Sequence, residues 1–76
     1  MNELKKDLIL HFYSEALKHD IKSSEFSDSA KKVSSFYRES FGMNETWQNY
    51  HSALRSERKI EVLTLFKTMF SALLNI

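Results

Sequence analysis

The chain contains no cysteine and no proline, and its single glycine is Gly42. Absence of cysteine excludes disulfides, thiolate metal ligands and thiol nucleophiles, and leaves no covalent staple to support a small core. Absence of proline, with so little glycine, removes most residues that hairpin turns and bulges draw on, which argues against an antiparallel sheet. One glycine also excludes the phosphate-cradling glycine-rich loop and the glycine elbow that presents a serine nucleophile. An excess of one charge is lacking as well. Eleven Lys and Arg stand against ten Asp and Glu, a formal charge of +1. No global field draws such a protein to nucleic acid, and only a local patch could do so.

Long apolar runs are missing too. The most hydrophobic stretch, 60–76, carries Glu61 and Lys67 and is marginally short for a bilayer span. The first residues mix acids with bases and lead into a short apolar run broken at His11, which does not match a secretion signal. These features predict a cytoplasmic protein that does not enter the membrane.

What is present is 76 residues that are 42% hydrophobic, 13% aromatic and 28% charged. That is too apolar for a disordered tail and too short for a second core. The expectation is one helical domain over 1–76, an all-α bundle of three to four helices with the C-terminal helix at its centre.

Hydrophobic spacing places the helices. Over 2 to about 20, Leu4, Leu8, Phe12 and Ala16 form one row at four-residue spacing, flanked by Ile9, Tyr13 and Leu17. Ser23 or Ser24 can cap a second helix whose apolar row is Phe26, Ala30, Val33, Tyr37 and Phe41, with Gly42 as its stop and Met43 covering that end. Asn44 can cap a third helix with the stripe Trp47, Tyr50 and Leu54. The stripe loses phase at Glu57 and Arg58, which predicts a break near Ser56, itself a candidate cap for the fourth helix. In that last helix Glu61, Thr64, Thr68, Ser71 and Asn75 make one thin polar stripe on an otherwise apolar surface. Leu63, Phe66 and Phe70 are expected in the core. So wide an apolar arc exceeds what three short helices are expected to cover, which predicts a homodimer through 60–76.

Chemistry offers less. His11 with Glu15, extended by His19, is the only helical metal-ligand spacing, and two ligands on an exposed helix are common by chance, so no metal or cofactor is expected. The carboxylate pairs Glu3 with Asp7 and Glu57 with Glu61 read as solvated helix charge rather than an acid and a base in a dry cleft. The chain does not read as an enzyme.

The third helix has the most distinctive surface. Gln48, Asn49, Ser52 and Arg55 lie off its apolar stripe, with Arg58 and Lys59 just beyond. These side chains suit base edges and phosphates. Tyr37 and Arg38, with other aromatic and arginine residues, are of the types that dominate protein interfaces. The segment 41–50, from Phe41 through Gly42 and Asn44 to Tyr50, resembles the turn and recognition helix of helix-turn-helix regulators. That resemblance implies a DNA-binding transcriptional regulator that uses the helix at about 44–55. The segment departs from the family pattern at Arg38, where a small residue is preferred, and at Gln48, where an apolar one is. The leading expectation is therefore a small non-enzymatic regulator or inhibitor that binds a larger protein partner, with duplex DNA as the alternative. Its binding residues are Gln48, Asn49, Ser52, Arg55, Arg58 and Lys59, and in second place Tyr37 and Arg38.

Overall fold

A computed structural model describes residues 3–76 as four helices: α1 (Glu3–Ala16), α2 (Ser24–Phe41), α3 (Glu45–Arg55) and α4 (Lys59–Leu74). The expected start of the first helix at residue 2 lies outside the described residues. The all-α bundle follows from the apolar stripes. α2 and α4 each pack against all three other helices, whereas α1 and α3 do not meet. The C-terminal helix is therefore central, and it shares that place with α2.

Helix ends follow local chemistry. α1 stops at Ala16, short of the expected residue 20, because the chain tightens there. The Lys18 and His19 amides donate to the Glu15 and Ala16 carbonyls, and the Asp20 carboxylate accepts from the Lys22 amide at 2.8 Å. Ser23 caps α2 by accepting from the Phe26 amide at 3.1 Å. Gly42 ends α2 at φ +74°, its amide donating to the Arg38 carbonyl. A Cβ added at Gly42 would meet nothing within 4 Å, so this position selects glycine through its backbone and not through crowding. Asn44 caps α3 by accepting from the Trp47 amide at 3.0 Å.

The α3–α4 break lies where the loss of phase predicts it, but Ser56 does not cap α4. Ser56 closes α3 instead. Glu57 adopts φ +55°, and the Glu57 and Arg58 amides donate back to the Leu54 and Ala53 carbonyls. This is the Schellman arrangement with glutamate where glycine is usual. α4 then starts after Arg58 with no side-chain cap.

Phe66 is the hub of the core. Fully buried, it has rings from each of the other helices around it, with centroids at 4.9 Å for Tyr13, 5.7 Å for Phe26 and 5.9 Å for Tyr50. Val62, Met69 and Leu73 share its face and are equally buried. Leu63 and Phe70 are half-buried at the rim rather than central, and Phe70 stacks on Tyr13 at 3.9 Å. The three other helices cover more of α4 than its wide apolar arc suggests. Ile60 in its first turn is its one large apolar side chain in the exposed class, Leu63, Leu65, Phe70 and Leu74 are half-buried, and Ile76 is exposed just past its end.

α1 departs most from expectation. It buries Ile9 and Ala16 and half-buries Phe12 and Tyr13, while Leu4 is 72% exposed and Leu8, Leu10 and Leu17 are exposed too. The row drifts around the helix, so its start at Leu4 and Leu8 lies about 100° or more from Ile9 while its end at Ala16 is buried. Phe41 is also exposed, where α2 runs past the core, and Met43 beyond it leaves the end of α2 uncovered.

Candidate functional site

Two rows of side chains face one another across α2 and α3. On α2, Lys31, Ser34, Ser35 and Arg38 recur at i, i+3, i+4 and i+7, the spacing of one helix face. On α3, Trp47 and His51 stand one turn apart, with Arg55 a turn further on. Between them lies a groove of about 280 Å³ lined by Lys31, Ser34, Ser35, Arg38, Trp47 and His51. Lys31, Ser34 and His51 also border an adjoining hollow of about 190 Å³, whose remaining walls include Ala30, Tyr50 and Leu54. One surface thus joins a cationic groove to an apolar hollow.

One side chain ties the start of α3 to α2. The Asn44 amide group donates to the Tyr37 hydroxyl at 2.8 Å while its oxygen caps α3. Gly42 gives the chain its turn just before. This joint, with the packing of both helices on α4, places Trp47 and His51 opposite α2.

His51 is the unusual group. Its Nε2 is buried and has no hydrogen-bond partner among the described residues. Its ring lies 4.2 Å from Trp47 and meets Tyr50 edge-on at 5.1 Å. Burial, and then the positive charges of Arg55 and Arg38, hold its pKa below the ordinary histidine value. Neither serine reaches it: Ser34 donates its hydroxyl to the Lys31 carbonyl at 3.2 Å. No nucleophile and base are paired here.

Lys31, Arg38 and Arg55 make no ion pair among the described residues. Of these three, Lys31 also lines the depression beside α1, whereas Arg38 lines this groove and Arg55 acts on its His51. The one between α3 and α4, about 380 Å³, has Arg58 in its wall, and Arg58 is paired with Glu61 at 3.1 Å. The one beside α1 has Lys32 in its wall, lying over the Phe12 ring at 5.4 Å. In both, a lining cation already has a partner.

The residues expected at the site divide between two sides of α3. Arg55 stands beside His51 on the α2 side, where Arg38 joins it. Asn49 and Arg58 lie on the α4 side. The exposed Gln48 donates its side-chain amide to the Met43 carbonyl at 2.7 Å. Ser52 is half-buried, and Lys59 is exposed at the first turn of α4. Tyr37 is 4% exposed and serves the α2–α3 joint, so of the second pair only Arg38 reaches the surface. Sequence reasoning does not single out His51, Lys31 and Ser34 as binding residues, and it counts Trp47 only among the aromatic residues of interface type. Their one signal is the shared spacing of the two rows.

Among the described residues, no group of three or more His, Asp or Glu side chains could hold a metal ion, and no helix is long and apolar enough to cross a membrane. Comparison with known proteins finds no family, no curated relative and no solved structure that matches this chain.

Proposed function

We propose that this chain acts by contact and not by catalysis, as a small regulatory or inhibitory protein that binds a larger protein partner through its α2–α3 face. The observation that carries the reading is that Arg38 and Arg55, both unpaired among the described residues, flank the half-buried His51 ring, whose buried Nε2 lacks a partner there. Polar groups left unsatisfied inside a small fold cost stability, and sites of this kind gain from a bound partner. Arginine and tryptophan are also the residues on which interface energy concentrates.

Duplex DNA is the second reading, and the same two arginines favour it. Against it, the side chains suited to base edges do not form one face. Asn49 and Arg55 stand about 120° apart around α3, and Gln48 is committed to Met43.

The binding unit in this reading is a single chain. The expected homodimer through 60–76 would draw on the exposed Ile60 and Ile76 and the half-buried Leu63, Leu65 and Leu74, and the reading does not depend on it.

Arg55→Ala tests the proposal. With the variant and the unaltered chain as paired baits, a specific partner should be lost from the variant through a faster off-rate, ~1 to 2 kcal/mol in affinity. Equal recovery on both baits would remove Arg55 from the interface. A sequence-specific shift of duplex DNA that weakens steeply with salt and depends on Arg55 would favour the second reading.

A further inference from the structure

The α2–α3 groove has a definite chemistry, and the ligand assigned to it rests on this face being the binding face. Lys31 and Arg38 stand two helical turns apart on α2, about 10 Å along the axis. The groove's other walls carry Ser34, Ser35, the Trp47 indole and the His51 imidazole. Arg55, one turn beyond His51 on α3, is near enough for its charge to act on that ring. The adjoining hollow, with Ala30, Tyr50 and Leu54 in its walls, is of the kind that takes an apolar side chain. A ligand that fits both parts carries negative charge and, next to it, an aliphatic group. A nucleic-acid backbone supplies the first without the second.

We propose that the groove is the docking site for an acidic protein segment, one of whose carboxylates lies between Arg38 and Arg55 beside the His51 ring, with a neighbouring apolar residue in the adjoining hollow. Two arginines form a charge-assisted donor set for a carboxylate. The distance of about 10 Å between Lys31 and Arg38 matches about three residues of extended chain, so a second acidic residue at that spacing meets Lys31.

Binding is coupled to a proton. The charges that bear on His51 are Arg55 from its own helix and Arg38 from α2, Lys31 lines the same groove, and none of the groove's lining residues comes from α1 or α4. In the free chain burial, and then Arg55 and Arg38, disfavour imidazolium. A carboxylate beside the ring reverses the electrostatic part of that effect. The ring therefore takes up a proton as the segment docks, and affinity rises as pH falls.

Trp47 is the only tryptophan in the chain, so its fluorescence reports the groove directly. The probe is the hexapeptide acetyl-DDLDDL-amide, titrated at low salt at pH 6 and pH 8, with its Asn counterpart acetyl-NNLNNL-amide and a mixed-sequence 12-base-pair duplex as the other arms. A saturable Trp47 response to the acidic peptide is expected, ~3- to 10-fold tighter at pH 6 than at pH 8, since each unit of pKa rise on binding corresponds to a factor of 10. His51→Gln should abolish that pH dependence. Arg38→Gln and Arg55→Gln should each weaken binding ~5- to 10-fold, while Lys67→Gln on the outer face of α4 leaves it unchanged. Absence of a saturable response, equal binding of the two peptides, or insensitivity to both arginine variants overturns the proposal. So does tighter binding of the duplex through the same residues, which would assign the groove to nucleic acid. If the peptide does not bind but Arg55→Ala still loses its captured partner, the acidic-segment assignment fails and the binding module stands. If both are silent, both fall.

Discussion

The side chain of Asn44 donates to the hydroxyl of Tyr37 at 2.8 Å while capping α3 through its oxygen. One residue thus starts a helix and fixes that helix against the one before it. The groove that holds His51 depends on this joint, because Trp47 is the residue whose amide Asn44 caps.

Removing parts of the joint should have graded costs. Tyr37→Phe deletes one hydrogen bond and should lower stability by ~0.5 to 1.5 kcal/mol. Asn44→Ala removes the cap as well and should cost ~1.5 to 3 kcal/mol. Urea titration of the two variants checks the order. Equal losses would show that the Asn44–Tyr37 contact contributes nothing beyond the cap.

Phe66 should be the most sensitive position in the core. With rings of α1, α2 and α3 around it, Phe66→Ala leaves a cavity that no single helix can close, at ~3 to 5 kcal/mol. A chain of this length has only ~4 to 11 kcal/mol in total. Phe70→Ala, at the rim and stacked on Tyr13, should cost less, ~1 to 2 kcal/mol. Denaturant midpoints test the ranking, and a loss below about 1 kcal/mol at Phe66 would contradict the packing.

His51 gives stability a pH dependence of known sign. Its folded pKa is lowered by burial and by Arg55 and Arg38, so between the folded value and the unfolded value of about 6.5 the unfolded chain holds more protons. Stability in the free protein therefore falls as pH drops through about 6.5, levelling off below the folded value. Melting temperatures measured from pH 7.5 to pH 5.5 should decline in the unaltered chain and decline less in His51→Gln. Parallel curves would show that His51 is not responsible.

The chain should be monomeric. Light scattering at high concentration should give a 9.0 kDa species. A dimer broken by a charge at Ile60 or Ile76 would return the outer face of α4 to the role its composition suggests.

Much of the fold is legible in the sequence because its signals are local. Ser23, Gly42 and Asn44 announce helix ends by residue type, and the row Phe26, Ala30, Val33 and Tyr37 is buried as its spacing requires. The buried face of α1 is not legible, because this helix is apolar on several faces at once. With Leu4, Leu8, Ile9, Leu10, Phe12 and Tyr13 in one helix, periodicity does not choose a face, and the positions of α2 and α4 do. The end of α3 is obscured because Glu57 holds the left-handed position that usually advertises itself as glycine. At the site, Arg38 and Arg55 stand out by residue type, but bringing them together depends on the α2–α3 angle. His51 carries no sign of its own, since a lone histidine beside an apolar stripe resembles any half-buried helix residue.

The central claim is that the protein binds through the α2–α3 face. Its most direct test is an amide chemical-shift map of the isotopically labelled chain titrated with the acidic hexapeptide. Perturbations should concentrate at 31–38 on α2 and 47–55 on α3, saturating together. Perturbations centred instead on the exposed leucines of α1, at Leu4, Leu8, Leu10 and Leu17, or none at saturating peptide, would contradict it.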